Sequence, residues 1–158
     1  MNRMRKVLIA DDEVKVGQLV KRLIQWDRLG LTCIGLVTDG QTAYEKILSE
    51  SPDIVITDIR MPVLTGLEMI QKASEQGVKC HFIVVSGYKY FDYAQKALKY
   101  GVEDYLLKPI DEDELNRQLQ KIVAEEEQRE DKQQQVDQIE KNWRIVNICA
   151  TKNFSDRY

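Results

Sequence analysis

Four short apolar runs each stop on, or just before, residues that can handle a phosphoryl group. Val7-Leu8-Ile9-Ala10 leads to Asp11 and Asp12, and Ile54-Val55-Ile56-Thr57 leads to Asp58. Phe82-Ile83-Val84-Val85 leads to Ser86, and Tyr105-Leu106-Leu107 leads to Lys108-Pro109. If these runs are neighbouring parallel strands, one sheet edge gathers three carboxylates, a hydroxyl and an ammonium. Carboxylates crowded together repel unless a cation compensates. A hard divalent ion does so, and Mg²⁺ characteristically takes one or two carboxylates, waters and phosphate oxygens. Asp58 is then able to act as a nucleophile toward a phosphoryl donor, with the ion and Lys108 neutralising the transferred oxygens. Ser86 offers a hydroxyl to the incoming group. Taken singly, each residue has an ordinary alternative. Aspartate at a strand end is usually a turn or capping residue, Asp12 included, while Ser86-Gly87 reads as a turn and Lys108-Pro109 as a loop. The reading rests on all four strand ends carrying the right type together.

The elements that must position these residues follow from patterning. The apolar runs are rich in Val and Ile and do not alternate with polar residues, which is how strands buried on both faces read. Helical stripes lie between them: Val16, Leu19, Val20, Leu23 and Ile24, ending before Leu29-Gly30; then Ala43, Ile47 and Leu48, between Thr38-Asp39-Gly40 and Ser51-Pro52. Leu67, Ile70 and Ala73 end at Gly77, and Ala94, Ala97 and Leu98 end at Gly101. Leu115, Leu119, Ile122 and Val123 follow Pro109 and the acidic turn Asp111-Glu112-Asp113-Glu114, whose charge suits a helix N-terminus. A weaker strand, Leu31 to Val37, completes five strand–helix units. Such alternation predicts an α/β sheet with helices on both faces and right-handed crossovers. Ligands of these sheets bind at the carboxyl ends of the strands, where the polar residues fall.

Composition narrows the class. The chain has 158 residues, a formal net charge of -3 and 31% charged residues, so charge alone gives no case for nucleic-acid binding. The apolar stretch after Met1-Asn2-Arg3-Met4-Arg5-Lys6 ends at Ala10, too short for a signal peptide or a membrane span. A cytoplasmic protein without a membrane partner is expected. Cys33, Cys80 and Cys149 are odd in number and lack a CxxC pair, so they read as small buried or semi-buried thiols. His81, the only histidine, reads as a strand-edge residue.

The combined text Leu8-Ile9-Ala10-Asp11-Asp12-Glu13, Pro52-Asp53-Ile54-Val55-Ile56-Thr57-Asp58-Ile59-Arg60-Met61-Pro62, Val84-Val85-Ser86-Gly87-Tyr88 and Gly101-Val102-Glu103-Asp104-Tyr105-Leu106-Leu107-Lys108-Pro109 resembles the receiver domain of two-component response regulators. The resemblance covers about residues 4 to 124. It implies a flavodoxin-like, doubly wound five-stranded parallel sheet in the order 2-1-3-4-5 with five helices, the last extended. It implies Asp58 as phospho-acceptor, with Mg²⁺ held by Asp11, Asp12, Asp58 and the Arg60 backbone carbonyl. Ser86 becomes the switch hydroxyl, Tyr105 the switch aromatic and Lys108 the phosphate-pairing lysine, aimed inward by a cis peptide before Pro109. Arg60 and Tyr88, two residues beyond the acceptor and the switch serine, stand where side chains tune dephosphorylation. The partners implied are a sensor histidine kinase and a second copy of the chain, as a homodimer formed on phosphorylation. Tyr88, Tyr90, Phe91, Tyr93 and Tyr100 suit either sheet cover or that dimer surface.

Ser86 to Ala94, with Tyr105 to Pro109, is similar to the subgroup carrying a C-terminal helix-turn-helix domain of the arabinose-operon activator type. Residues 1–124 are therefore read as a receiver domain. Residues 125–158 are read as a polar helical linker or the start of an absent output region, through which alone DNA would be contacted. Ala124 to Gln135 carries no large apolar residue. Val136, Ile139, Trp143 and Val146 then return at three-four-three spacing, the seam of a short coiled coil or of a docking helix. The expected function is phosphoryl acceptance that controls transcription. A stand-alone receiver acting through protein contacts is the alternative, and a Mg²⁺-dependent phosphatase a more distant one. The haloacid-dehalogenase-like phosphatases want Asp-x-Asp at the first strand, where this chain has adjacent Asp11-Asp12. A flavodoxin-like carrier wants a hydroxyl- and glycine-rich loop there instead.

Overall fold

Val7 to Ala10, Ile54 to Thr57 and Phe82 to Ser86 are buried throughout, as β-branched runs must be when helices cover both sides of a sheet. They form the central strands of a computed structural model that describes residues 3–87 and 102–155. The strands are β1 (Arg5–Ala10), β2 (Leu31–Val37), β3 (Ile54–Thr57), β4 (His81–Ser86) and β5 (Val102–Leu107). All neighbours are parallel, in the order β2-β1-β3-β4-β5. Full burial of each Ile, Val or Phe in these strands contributes roughly 1.5–3 kcal/mol relative to exposure. The stretch from Tyr88 to Gly101 holds the Tyr88 position, the other aromatics and the Ala94, Ala97, Leu98 stripe, and lies outside the described residues.

Among the described residues the helices are α1 (Val14–Leu23), α2 (Trp26–Leu29), α3 (Gly40–Glu50), α4 (Gly66–Glu75) and α5 (Glu112–Ser155). Sequence marks the start of α3 and α4 clearly. The Asp39 side chain accepts from Thr42 N at 2.7 Å, and Thr65 and Glu68 form a reciprocal capping box. Ala43, Ile47, Met69, Ile70 and Ala73 bring α3 and α4 into one core with Leu8, Val55, Phe82 and Val84. Leu67 packs against the same core half-buried.

Two expected stripes are narrower than their apolar residues suggest. Leu19 and Leu48 are exposed, because each lies one 100° step from a buried neighbour, Val20 or Ile47, and falls off the covered arc. Small Gly17 takes the inward place on α1. The first helix, expected to end before Leu29-Gly30, stops at Leu23, and a one-turn helix follows, closed by left-handed Gly30 at φ 67°. The interruption has a specific support. Gln25 N donates to Asn116 Oδ1, and Asn116 Nδ2 donates to the Leu23 carbonyl, each at 2.8 Å. Asn116 thereby satisfies backbone groups that the end of α1 leaves open.

The chain divides into two compact units, Met1–Gln120 and Lys121–Tyr158. The first holds the sheet. Within the second, Ile122, Val123 and Glu126 are buried, Glu126 paired with Arg129 at 2.8 Å. Every residue from 131 to 148 is exposed. Among the described residues no helix is long and apolar enough to cross a membrane.

Candidate functional site

Strand register assembles the site. Ala10 pairs with Thr57, Thr57 with Val84, and Ser86 with Leu107. The ladder continues one residue past the strands: Asp11 N donates to the Val37 carbonyl at 3.0 Å, Asp58 N to Ala10 at 2.9 Å, and Lys108 N to Ser86 at 2.9 Å. Three site residues thus have their main chains fixed by the sheet rather than by loops, which is how a rigid scaffold aims functional side chains.

Carboxylate oxygens of Asp11, Asp12 and Asp58 lie within 4.8 Å of one another. Asp11 and Asp58 are buried and Asp12 is exposed. Lys108 Nζ stands 3.0 Å from Asp58 Oδ2 and 3.2 Å from Asp11 Oδ2. The second oxygens are held by main chain: Glu13 N donates to Asp11 Oδ1 at 2.9 Å, and Ile59 N to Asp58 Oδ1 at 2.7 Å. Burial pushes the Asp11 carboxyl up to about 6; the nearby Asp58 adds to this, while Glu13 N–H and Lys108 oppose it. Burial alone would lower Lys108, but its contacts with Asp58 and Asp11 outweigh that and raise it. The peptide between Lys108 and Pro109 is cis, as the resemblance implies.

Ser86 ends β4 fully buried, and its Oγ has no hydrogen-bond partner among the described residues. A buried hydroxyl left unpaired is costly and calls for a reason. Tyr105 is half-buried against the core, with its hydroxyl donating to the Gly87 carbonyl at 3.2 Å. The two residues expected to act as a switch are therefore linked through the residue after Ser86.

The loop from Asp58 to Gly66 is pinned by close backbone approach. A Cβ at Gly66 would stand 2.0 Å from the Asp58 carbonyl oxygen, and one at Gly40 would stand 1.9 Å from that of Leu64. Only glycine fits at either place. Between them Leu64 N donates to Pro62 O at 2.8 Å across Val63, which sits at φ 70°. This γ-turn is unusual for a β-branched residue. Arg60 lies on the same loop with its side chain exposed. Sequence reasoning missed Gly66 and Asn116 and read Gly40 only as part of a helix start. The glycines follow helix-start signals and were legible as caps only, and nothing local marks Asn116.

A parallel 2-1-3-4-5 sheet with three acids, a lysine and a buried hydroxyl at its carboxyl edge defines a class, and the chain belongs to it. The family model for the response regulator receiver domain matches residues 7–120. Particular relatives sharpen this. The transcriptional regulatory protein YesN of Bacillus subtilis is 46% identical over 122 residues, spanning 77% of this chain and 33% of the relative. The transcriptional regulatory protein HptR of Staphylococcus aureus is 35% identical over 120 residues, spanning 76% and 47%. The receiver domain of AraT, a response regulator from Geobacillus stearothermophilus, superposes with a TM-score of 0.76 at 36% identity, covering 80% of this chain and 98% of that one. The chain spans about a third to a half of the length of the curated relatives it matches.

Proposed function

We propose that this receiver domain stores one phosphoryl group on Asp58 as a signal, delivered by a sensor histidine kinase. The observation that carries the reading is Lys108, whose ammonium stands between Asp58 and Asp11 where phosphoryl oxygens would arrive. An Asp58 oxygen bonds to phosphorus as the phosphorus–nitrogen bond of the donor phosphohistidine breaks. The imidazole nitrogen keeps the electron pair and takes up a proton. Asp11, Asp12, Asp58 and the Arg60 main-chain carbonyl would hold Mg²⁺, which when bound neutralises charge on the phosphoryl oxygens. The convergence of the three carboxylates Asp11, Asp12 and Asp58 within 4.8 Å fits that ion.

Ser86 then donates its hydroxyl, which has no partner among the described residues, to a phosphoryl oxygen, and Tyr105 turns into the space this frees. The phosphoryl group biases the two arrangements only through that difference in contact. Uptake and loss of the group are self-catalysed, with Arg60 and Tyr88 tuning the attack of water. Phosphorylation favours a homodimer, and DNA is reached through an output region of the arabinose-operon activator type outside residues 1–158, in the cytoplasm. The names of YesN and HptR as transcriptional regulatory proteins support that output. Intact mass after treatment with acetyl phosphate and Mg²⁺ tests the reading. One added phosphoryl group, lost in Asp58→Asn, is expected, and unchanged labelling of Asp58→Asn overturns it.

A further inference from the structure

From residue 131 to 148, α5 is a helix with water on every side, since all of these residues are exposed. Helices draw most of their stability from burying an apolar face. Side-chain pairs such as Gln133–Asp137 at 2.9 Å and Gln138–Asn142 at 3.0 Å add only tenths of a kcal/mol each, roughly 0.2–0.5. Yet Val136, Ile139, Trp143 and Val146 are 48%, 67%, 65% and 58% exposed. Their three-four-three spacing is the 3.5-residue period that faces another helix in a left-handed supercoil.

The flanks decide the occupant. Beside this seam stand Gln133, Gln135, Glu140, Asn142 and Asn147, of which only Glu140 is charged. Asp137, Lys141 and Arg144 fall at positions turned away from it. In a parallel, in-register pair of identical helices, Gln135 of one copy faces Glu140 of the other, and Asn142 faces Asn147. No like charges meet, and each apolar residue meets its own counterpart. A foreign charged helix would find almost no complementary charge on these flanks. We infer that this seam joins two copies of the chain as a short parallel coiled coil, without need of phosphate. The contact lies wholly within Lys121–Tyr158 and goes beyond the phosphate-dependent homodimer proposed above.

Two heptads make a weak contact, so the dimer forms in a concentration-dependent way. Sedimentation equilibrium of the 158-residue chain is expected to show a monomer–dimer balance that persists in Asp58→Asn. Ile139→Asp places two carboxylates face to face across the seam and is expected to weaken association at least about tenfold. Ile145→Asp, on the outer face, is expected to leave it unchanged. Ile139→Cys, with the three native cysteines replaced by serine, is expected to oxidise to a linked dimer, which parallel register alone permits at that position. A chain that stays monomeric at every concentration overturns the inference. So does equal weakening by Ile139→Asp and Ile145→Asp, or failure of the cysteine variant to cross-link.

Discussion

Lys108 Nζ sits 3.0 Å from Asp58 Oδ2, and the same ammonium reaches Asp11 Oδ2 at 3.2 Å. One lysine therefore holds together two buried carboxylates that sheet register forces into the same corner. Lys108→Met leaves them uncompensated. With chelator present at neutral pH, the variant is expected to lose about 1–2 kcal/mol of stability, a discounted figure because the lysine retains some exposure. Adding Mg²⁺ should narrow the gap, since the ion replaces the missing positive charge. Urea titrations with and without Mg²⁺ measure both effects.

Ser86→Ala removes a buried hydroxyl that has no partner among the described residues. Its expected effect on stability is near zero, or a gain of up to about 1 kcal/mol, because no hydrogen bond is lost and a desolvated polar atom disappears. Phosphoryl uptake should continue, while the phosphate-induced change in Tyr105 fluorescence should vanish. Thermal unfolding together with fluorescence titration separates the two. Marked destabilisation would show that the hydroxyl already serves the resting fold.

Gly66→Ala drives a methyl group into the Asp58 carbonyl at 2.0 Å, and the obstacle is backbone that cannot step aside. A loss of about 2–4 kcal/mol is expected, at or above the usual range for overpacking. Gly30→Ala meets nothing within 4 Å and bears only its left-handed φ of 67°. About 1 kcal/mol is expected there. Chemical denaturation of the pair tests whether the loop beneath Asp58 is as tightly pinned as its geometry indicates.

Asp53 anchors the other end of the sheet. Burial alone would raise its carboxyl, but Arg3 at 2.7 Å and the Lys6 N–H at 2.8 Å outweigh that and leave it lowered. A carboxyl lowered by folding adds stability that is fully present above its unfolded value, near 3.8, and lost as pH falls through the folded value. Asp53→Asn should therefore be less stable than the parent at pH 7, by less than about 1 kcal/mol given the exposure of Arg3. The difference should shrink as pH falls below the unfolded value and through the lowered folded one. Stability curves of both proteins across pH show whether it does.

Much of the site was legible because its residues sit at strand ends, where a short apolar run and its terminal polar residue are adjacent in sequence. Asp11, Asp58, Ser86 and Lys108 needed only the parallel order to meet. What escaped depends on contacts between distant segments. Asn116 supports the end of α1 from 91 residues away, and no local pattern announces that. Gly66 resembles any residue that opens a helix until Asp58 O is seen against it. Leu19 and Leu48 show the reverse limit, since apolar type alone does not fix the few tens of degrees that separate a covered arc from water.

The central claim is that Asp58 itself carries the phosphoryl group. The most direct measurement is to treat the chain with acetyl phosphate and Mg²⁺, reduce the acyl phosphate with borohydride, and sequence the peptides by mass spectrometry. Reduction converts a phosphorylated aspartate to homoserine and marks its position. Homoserine at residue 58 alone is expected, appearing only with Mg²⁺ and absent from Asp58→Asn. Homoserine at residue 11 or 12, or none at residue 58 in a chain that has taken up phosphate, would contradict it.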